Sequence, residues 1–187
     1  NMERTGSPRD CTCPGRTWDT TRRYSQAWDN RARVVLTLMR LGIVGGTFDP
    51  IHLGHLMIAE KARVTLNIDS VLFIPAGNPW MKSGREIASP MDRLNMVKLA
   101  TSQNRSFEVS ELEIDRPGPT YTIDTLEQLR RSMVHGDKIF LIMGSDSFLH
   151  FNKWNRCNDI LKLCELVVAQ RPGTPDQVKQ RTMNCAM

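Results

Sequence analysis

The segment Gly45-Gly46-Thr47-Phe48-Asp49-Pro50-Ile51-His52-Leu53-Gly54-His55 constrains this chain more than any other stretch. An apolar run, Leu41 to Val44, precedes it, and apolar residues at helical spacing follow: Leu56, Ala59, Ala62 and Leu66. The order is therefore strand, glycine turn, helix. Glycine lets backbone come close to a ligand, and proline fixes φ within the turn. The helix N-terminus offers unpaired N–H groups and the positive end of a dipole, which suits phosphate. His52 and His55 bring two imidazoles to that spot, and Gly54 carries no side chain to obstruct them. The spacing alone also fits a solvated or structural histidine pair, or the start of a metal site.

The same alternation continues along the chain. Strands are expected at 39–44, 71–75, 107–109, 139–143 and 166–169, and helices at 53–67, 90–101, 122–131 and 152–163. The stretch 112–114 reads as a short strand or an extended crossing, and Thr122 is expected to cap its helix. Short apolar strands alternating with amphipathic helices predict an α/β fold: a Rossmann-like parallel sheet, order 3-2-1-4-5, with helices on both faces. Ligands then bind beyond the carboxyl ends of the first and fourth strands, where the winding reverses. The histidine turn follows the first strand, and Gly144-Ser145-Asp146-Ser147 follows the fourth.

The 187 residues suffice for one domain, 39–173, flanked by a disordered or non-native extension, 1–38, and a polar tail, 174–187. The extension carries seven of the arginines and a net +3 of the chain's +5. The remainder is close to neutral, so no nucleic-acid groove is implied. It lacks the apolar core of a signal peptide. No uninterrupted apolar run approaches a membrane span, since Arg40 breaks the longest candidate, 34–44. Cys11, Cys13, Cys157, Cys164 and Cys185 are odd in number and form no C-x-x-C pair, which favours neither a disulfide framework nor zinc. A reducing cytoplasm fits, and Cys164, in an apolar run, reads as core.

Four further segments carry chemistry: Ile74-Pro75-Ala76-Gly77-Asn78-Pro79-Trp80-Met81-Lys82; Pro119-Thr120-Tyr121-Thr122-Ile123-Asp124-Thr125-Leu126; Gly144 to Ser147 followed by Trp154; and Arg171-Pro172-Gly173. Thr120, Tyr121 and Thr122 form a helix entrance able to take a carboxylate, or a plain cap. Trp154 is an aromatic face for a ligand, or a core residue. Lys82 suits a phosphate, or is a solvated loop lysine. Asp146 suits a ribose or Mg²⁺, or caps the next short helix.

The eleven-residue turn resembles the signature of the nucleotidyltransferase superfamily, G-x-F-D-x-x-H-x-G-H. With the four other segments, the chain resembles bacterial nicotinate-mononucleotide adenylyltransferases over about 39–173. That resemblance implies transfer of the adenylyl group of ATP to nicotinate mononucleotide, giving nicotinate adenine dinucleotide and pyrophosphate. It implies His52 and His55 as catalytic residues. Gly45, Gly46, Thr47, Phe48, Lys82, Gly144, Asp146 and Arg171 would meet ATP, and Thr120, Tyr121, Thr122 and Trp154 the nicotinate nucleotide. Mg²⁺ would come with ATP, with no dedicated protein metal site. The phosphopantetheine adenylyltransferases share the histidine turn but lack the segment at 120–126.

Two departures stand out. The family often has P-P-H-K where this chain has Pro79-Trp80-Met81-Lys82, so no histidine role carries over there. An I-S-S-T-x-x-R motif expected after the R-P-G turn is not found before Met187. The resemblance thus predicts a domain short at its C-terminus and slow in turnover, with a non-catalytic nucleotide-binding fragment as the alternative. Homo-oligomerisation is left open.

Overall fold

The computed structural model describes residues 38–79 and 86–170. Lys82 and Arg171 lie outside the described residues, as do Trp80, the N-terminal extension up to residue 37, and the tail. Five strands form one parallel sheet: β1 (Arg40–Gly46), β2 (Ser70–Pro75), β3 (Phe107–Val109), β4 (Lys138–Gly144) and β5 (Glu165–Ala169). Their order is β3-β2-β1-β4-β5, as the alternation of elements predicts. Helices α1 (Leu53–Thr65), α2 (Pro90–Thr101), α3 (Thr122–Arg131), α4 (Ser145–Leu149) and α5 (Cys157–Leu163) join them.

Strand periodicity sorts the core into two layers. Leu41, Ile43, Leu72, Ile74, Ile139, Leu141 and Met143 face one side, where Ile123, Leu126 and Leu129 of α3 and Ile160 of α5 cover them. Val44, Val71, Phe73, Phe140 and Ile142 face the other, under Ala59 and Ala62 of α1 and Leu94 and Val97 of α2. Alternate residues of each central strand thus serve opposite cores, which is why these strands read as continuous apolar runs. Cys164 is buried in the first core, as expected, and burial pushes its thiol up to about 12, so it is an inert packing residue.

Four local expectations are corrected. Residues 112–114 are a turn, closed by the Ile114 N–H donating to the Glu111 carbonyl at 2.8 Å. An alternating triplet is too short to be a strand without a neighbouring strand to pair with. The helix expected at 152–163 is broken: a 3₁₀ turn, Phe151–Lys153, precedes α5, and Arg156 at φ 51° starts α5. The N-cap of α3 is Tyr121, with Thr122 as its first helical residue. The helix expected over 90–101, with Leu94, Val97 or Lys98, and Ala100 read on its faces, buries Arg93 beside Leu94 and Val97, whereas Ala100 is exposed.

Candidate active site

The ladder between β1 and β4 stops early. Their pairing runs from Arg40↔Lys138 to Ile43↔Leu141. On the outer sides, β1 stays with β2 as far as Gly46↔Pro75, and β4 with β5 as far as Gly144↔Ala169. The last three residues of each central strand therefore part from one another. This opens a crevice at the point where the winding reverses. Side chains built at Gly45 and Gly144 would meet nothing within 4 Å. Both glycines thus line open space at the two lips of the crevice.

The turn after β1 is held from within and from below. Phe48 takes a left-handed φ of 51° and drops its ring into the core, 2% exposed, 6.1 Å from the Phe73 ring. Its side chain is thus committed to supporting the turn. The Asp49–Pro50 bond is cis. His52 caps α1, and its ring stacks on that of His55, with centroids 3.8 Å apart. The His52 N–H donates to Nδ1 of His55 at 3.2 Å. With Nδ1 occupied as an acceptor, the neutral ring carries its proton on Nε2. Phe48 packs edge-on against the same ring at 5.1 Å. A Cβ on Gly54 would sit 3.1 Å from the His52 ring, so this glycine makes room for the imidazole itself.

Arg93 is the residue that sequence reasoning missed. It is 0% exposed, and its guanidinium donates to four backbone carbonyls: Thr47 at 2.8 Å, Ala76 at 2.6 Å, Gly77 at 3.0 Å and Ala88 at 3.0 Å. Burial lowers its pKa, opposed by the Asp49 carboxylate. Asp49 in turn accepts the Ala88 N–H at 3.3 Å. One side chain thereby ties the glycine turn to the loop after β2. The fork geometry of arginine suits several carbonyls where a lysine would satisfy fewer. A charged residue inside an apolar helix face was the available signal.

The loop after β2 passes the connection on. The Ala76 N–H donates to the Gly46 carbonyl at 2.9 Å. The Asn78 carbonyl accepts the Thr120 N–H at 3.1 Å and the Thr120 hydroxyl at 3.2 Å. Thr120 is 5% exposed. Its N–H is therefore committed to Asn78, which corrects the expectation of a free donor there. The N–H groups of Thr122 and Ile123, at the first two helical positions, have no intrahelical acceptor, as at any helix start. Asp146 is exposed in the first turn of α4, with Gly144 as the cap in its place. Trp154 is half-buried on the first core, 5.4 Å from the Phe151 ring, and its buried Nε1 has no hydrogen-bond partner among the described residues. Packing accounts for much of this side chain. Two surface depressions, of about 170 and 360 Å³, lie elsewhere and contain none of these motif residues.

The structure thus joins the histidine turn, the loop after β2 and the α3 entrance in one hydrogen-bonded series, with Gly144 and Asp146 across the crevice. The family model described as cytidylyltransferase-like matches residues 43–185. The chain belongs to that family. Among curated relatives, a protein of Dehalococcoides mccartyi named "Probable nicotinate-nucleotide adenylyltransferase" is 44% identical over 135 residues, covering 72% of this chain and 66% of its own length. A protein of the same name from Roseiflexus sp. is 49% identical over 133 residues, covering 71% and 66%. The one from Thermoanaerobacter sp. is 47% identical, covering 72% and 64%. The chain thus spans just under two thirds of the length of these relatives. Among solved structures, the Plasmodium falciparum nicotinic acid mononucleotide adenylyltransferase complexed with NaAD superposes with a TM-score of 0.61 at 16% identity, covering 76% of this chain and 71% of that one. The same enzyme complexed with APC gives 0.58, covering 76% and 70%. This likeness bears on the fold, a Rossmann-like five-stranded parallel sheet.

Proposed function

We propose that this cytidylyltransferase-like domain, taken as residues 39–173, transfers the adenylyl group of ATP to nicotinate mononucleotide, releasing pyrophosphate. The observation that carries this reading is the continuous tie from His52 and His55, through Arg93 and Asn78, to the α3 entrance. In this reading the start of α1 would receive phosphate and the start of α3 the nicotinate carboxylate. The names of the curated relatives support the same substrate pair.

In this mechanism the mononucleotide phosphate oxygen attacks the α-phosphorus of ATP in line, and the bond to pyrophosphate breaks. No protein nucleophile is required, so the protein supplies orientation and charge stabilisation. His55 donates from Nε2, with the N–H groups at the start of α1, toward charge that builds on the leaving pyrophosphate. His52 stacks on His55 and shares that face. Gly45, Gly46 and Gly144 admit the nucleotide, with Thr47, Asp146, Lys82 and Arg171 as its further contacts. Thr122 and Tyr121 meet the nicotinate carboxylate, Thr120 fixes their position, and Trp154 offers its face to the pyridine. Among the described residues no group of three or more His, Cys, Asp or Glu side chains could hold a metal ion. Mg²⁺ would be carried by the triphosphate and completed by water, where it would neutralise phosphate charge. None of the described helices is long and apolar enough to cross a membrane, and the cytoplasm is the proposed compartment.

The test is pyrophosphate release with ATP and either nicotinate or nicotinamide mononucleotide. The nicotinate form should be preferred, because the amide lacks the charge that a helix N-terminus favours. His55→Ala should raise the barrier by about 2–4 kcal/mol, the scale for one preorganised donor, with little change in ATP affinity. Wild-type turnover in that variant would sink the role of His55. Equal rates with both mononucleotides would sink the role of the α3 entrance.

A further inference from the structure

The β1–β2 ladder ends where the two halves of the crevice go separate ways. Its last pair is Gly46↔Pro75, and one more bond follows, from the Ala76 N–H to the Gly46 carbonyl at 2.9 Å. Beyond this fork Thr47 leads to the start of α1, and Ala76 leads to Asn78 and the α3 entrance. The Arg93 guanidinium sits at the fork. A single nitrogen, Nη1, donates to both branches: to the Thr47 carbonyl at 2.8 Å and to the Ala76 carbonyl at 2.6 Å. Nη2 adds the Gly77 carbonyl at 3.0 Å, and Nε donates to the Ala88 carbonyl at 3.0 Å, just before α2. Carbonyls only accept and arginine only donates, so every bond in this set has a fixed direction. The planar fork holds three chain segments in one rigid frame. The side chain is 0% exposed, and the Asp49 carboxylate, which opposes its charge, also accepts the Ala88 N–H.

We propose that Arg93 is a positioning residue for the transfer step: it sets the spacing between the start of α1 and the start of α3, and with it the approach of the mononucleotide oxygen to the α-phosphorus. This rests on the substrate reading above. Each end keeps its own binding groups without Arg93, His52 and His55 at one and Tyr121 and Thr122 at the other. What changes is the distance between them. In-line attack tolerates little error, and a misplacement of about 1 Å costs on the order of 100-fold in rate. The contribution of Arg93 therefore belongs to kcat with both nucleotides bound, and not to the affinity for either one alone.

The experiment uses the full chain as wild type, Arg93→Lys, Arg93→Met and Leu94→Ala, at a temperature where each is folded. Leu94 is the next residue of α2, 0% exposed in the second core, so its truncation loosens the same helix through a cavity while the guanidinium stays. Pyrophosphate release per folded molecule gives kcat. ATP and nicotinate mononucleotide, titrated separately, give the two dissociation constants. Arg93→Lys should lower kcat about tenfold and Arg93→Met about 100-fold or more, with both affinities within about threefold of wild type, while Leu94→Ala keeps kcat within about twofold. A wild-type kcat in Arg93→Lys, a loss carried by affinity instead, or a Leu94→Ala variant as slow as Arg93→Lys overturns the proposal. If neither Arg93 variant folds, Asp49→Asn decides: it removes the opposing charge, keeps an acceptor for the Ala88 N–H, and should lower kcat several-fold with both affinities held. An unchanged kcat there also overturns the proposal. A wild type that binds ATP but releases no pyrophosphate with nicotinate mononucleotide overturns the substrate reading instead. Amide exchange at Ala76 and Thr120, whose N–H groups donate to Gly46 and Asn78, then judges Arg93 alone. Both should exchange faster in Arg93→Lys and not in Leu94→Ala, and unchanged exchange in Arg93→Lys would end the positioning role.

Discussion

The two helix ends that meet at the crevice are built in opposite ways. The start of α1 is closed by its own neighbours: His52 caps it, His55 answers from one turn on, and Phe48 braces that ring from four residues before the cap. The start of α3 owes almost nothing to its neighbours. Tyr121 makes no side-chain cap, and the segment before it is held by Asn78, 42 residues upstream, and by Glu113 from the preceding turn. A locally closed end is a compact sequence string. An end closed over a distance is a scatter of residues that become neighbours only after the sheet forms.

That difference explains what could be read in advance. The sheet order and all five strands were legible because period-2 burial on two faces writes itself as apolar runs, bounded by Pro75 and by glycine turns. The histidine turn was legible because its partners are within one turn of helix. Thr120 was expected to offer its N–H to a ligand, and it does not, because only tertiary structure brings the Asn78 carbonyl to it. Arg93 went unnoticed for the same reason: its four acceptors lie on three separate segments. The helix expected over 152–163 failed where Arg156 takes a left-handed conformation, held by ion pairs to Glu127 at 2.9 Å and Asp159 at 2.9 Å. Glu127 is distant in sequence, and no periodicity could announce that pair.

The largest expected effect breaks both ends at once. Arg93→Met would leave four part-buried carbonyls without their donor, and the loss of unfolding free energy should be about 3–5 kcal/mol. Arg93→Lys should recover only part of it, since an ammonium cannot span carbonyls on three segments. A urea melt decides this. A change under about 1 kcal/mol for Arg93→Met would mean that water satisfies those carbonyls and that the two ends are not tied through this residue.

Gly77→Ala should act on the distant-built end alone. The new methyl would fall 2.0 Å from the Glu113 carbonyl oxygen and 2.9 Å from its carbonyl carbon, both backbone atoms with no rotamer to yield. The loop after β2 must move away from Asn78's partner, at a cost on the overpacking scale of about 1–3 kcal/mol. Mononucleotide affinity should fall with stability, while ATP affinity holds. Loss of ATP affinity to the same degree would show that the two ends do not separate.

Gly54→Ala should have the smallest effect on stability and the clearest effect on chemistry. Alanine in a helix is worth up to about 1 kcal/mol over glycine, less in the first turn. Against that gain, the new Cβ would meet Cε1 and Nδ1 of His52 at 3.1 Å, and an exposed side chain can move by the few tenths of an ångström needed. The two terms nearly cancel, so the melt should shift by less than about 0.5 kcal/mol. The displaced atom, however, belongs to the ring stacked on His55. Turnover should then drop several-fold, on the order of 1 kcal/mol in barrier, with ATP affinity little changed. A variant with unaltered turnover would show that the stacked pair tolerates loose geometry, and that the α1 end works through its backbone N–H groups rather than through the placement of its imidazoles.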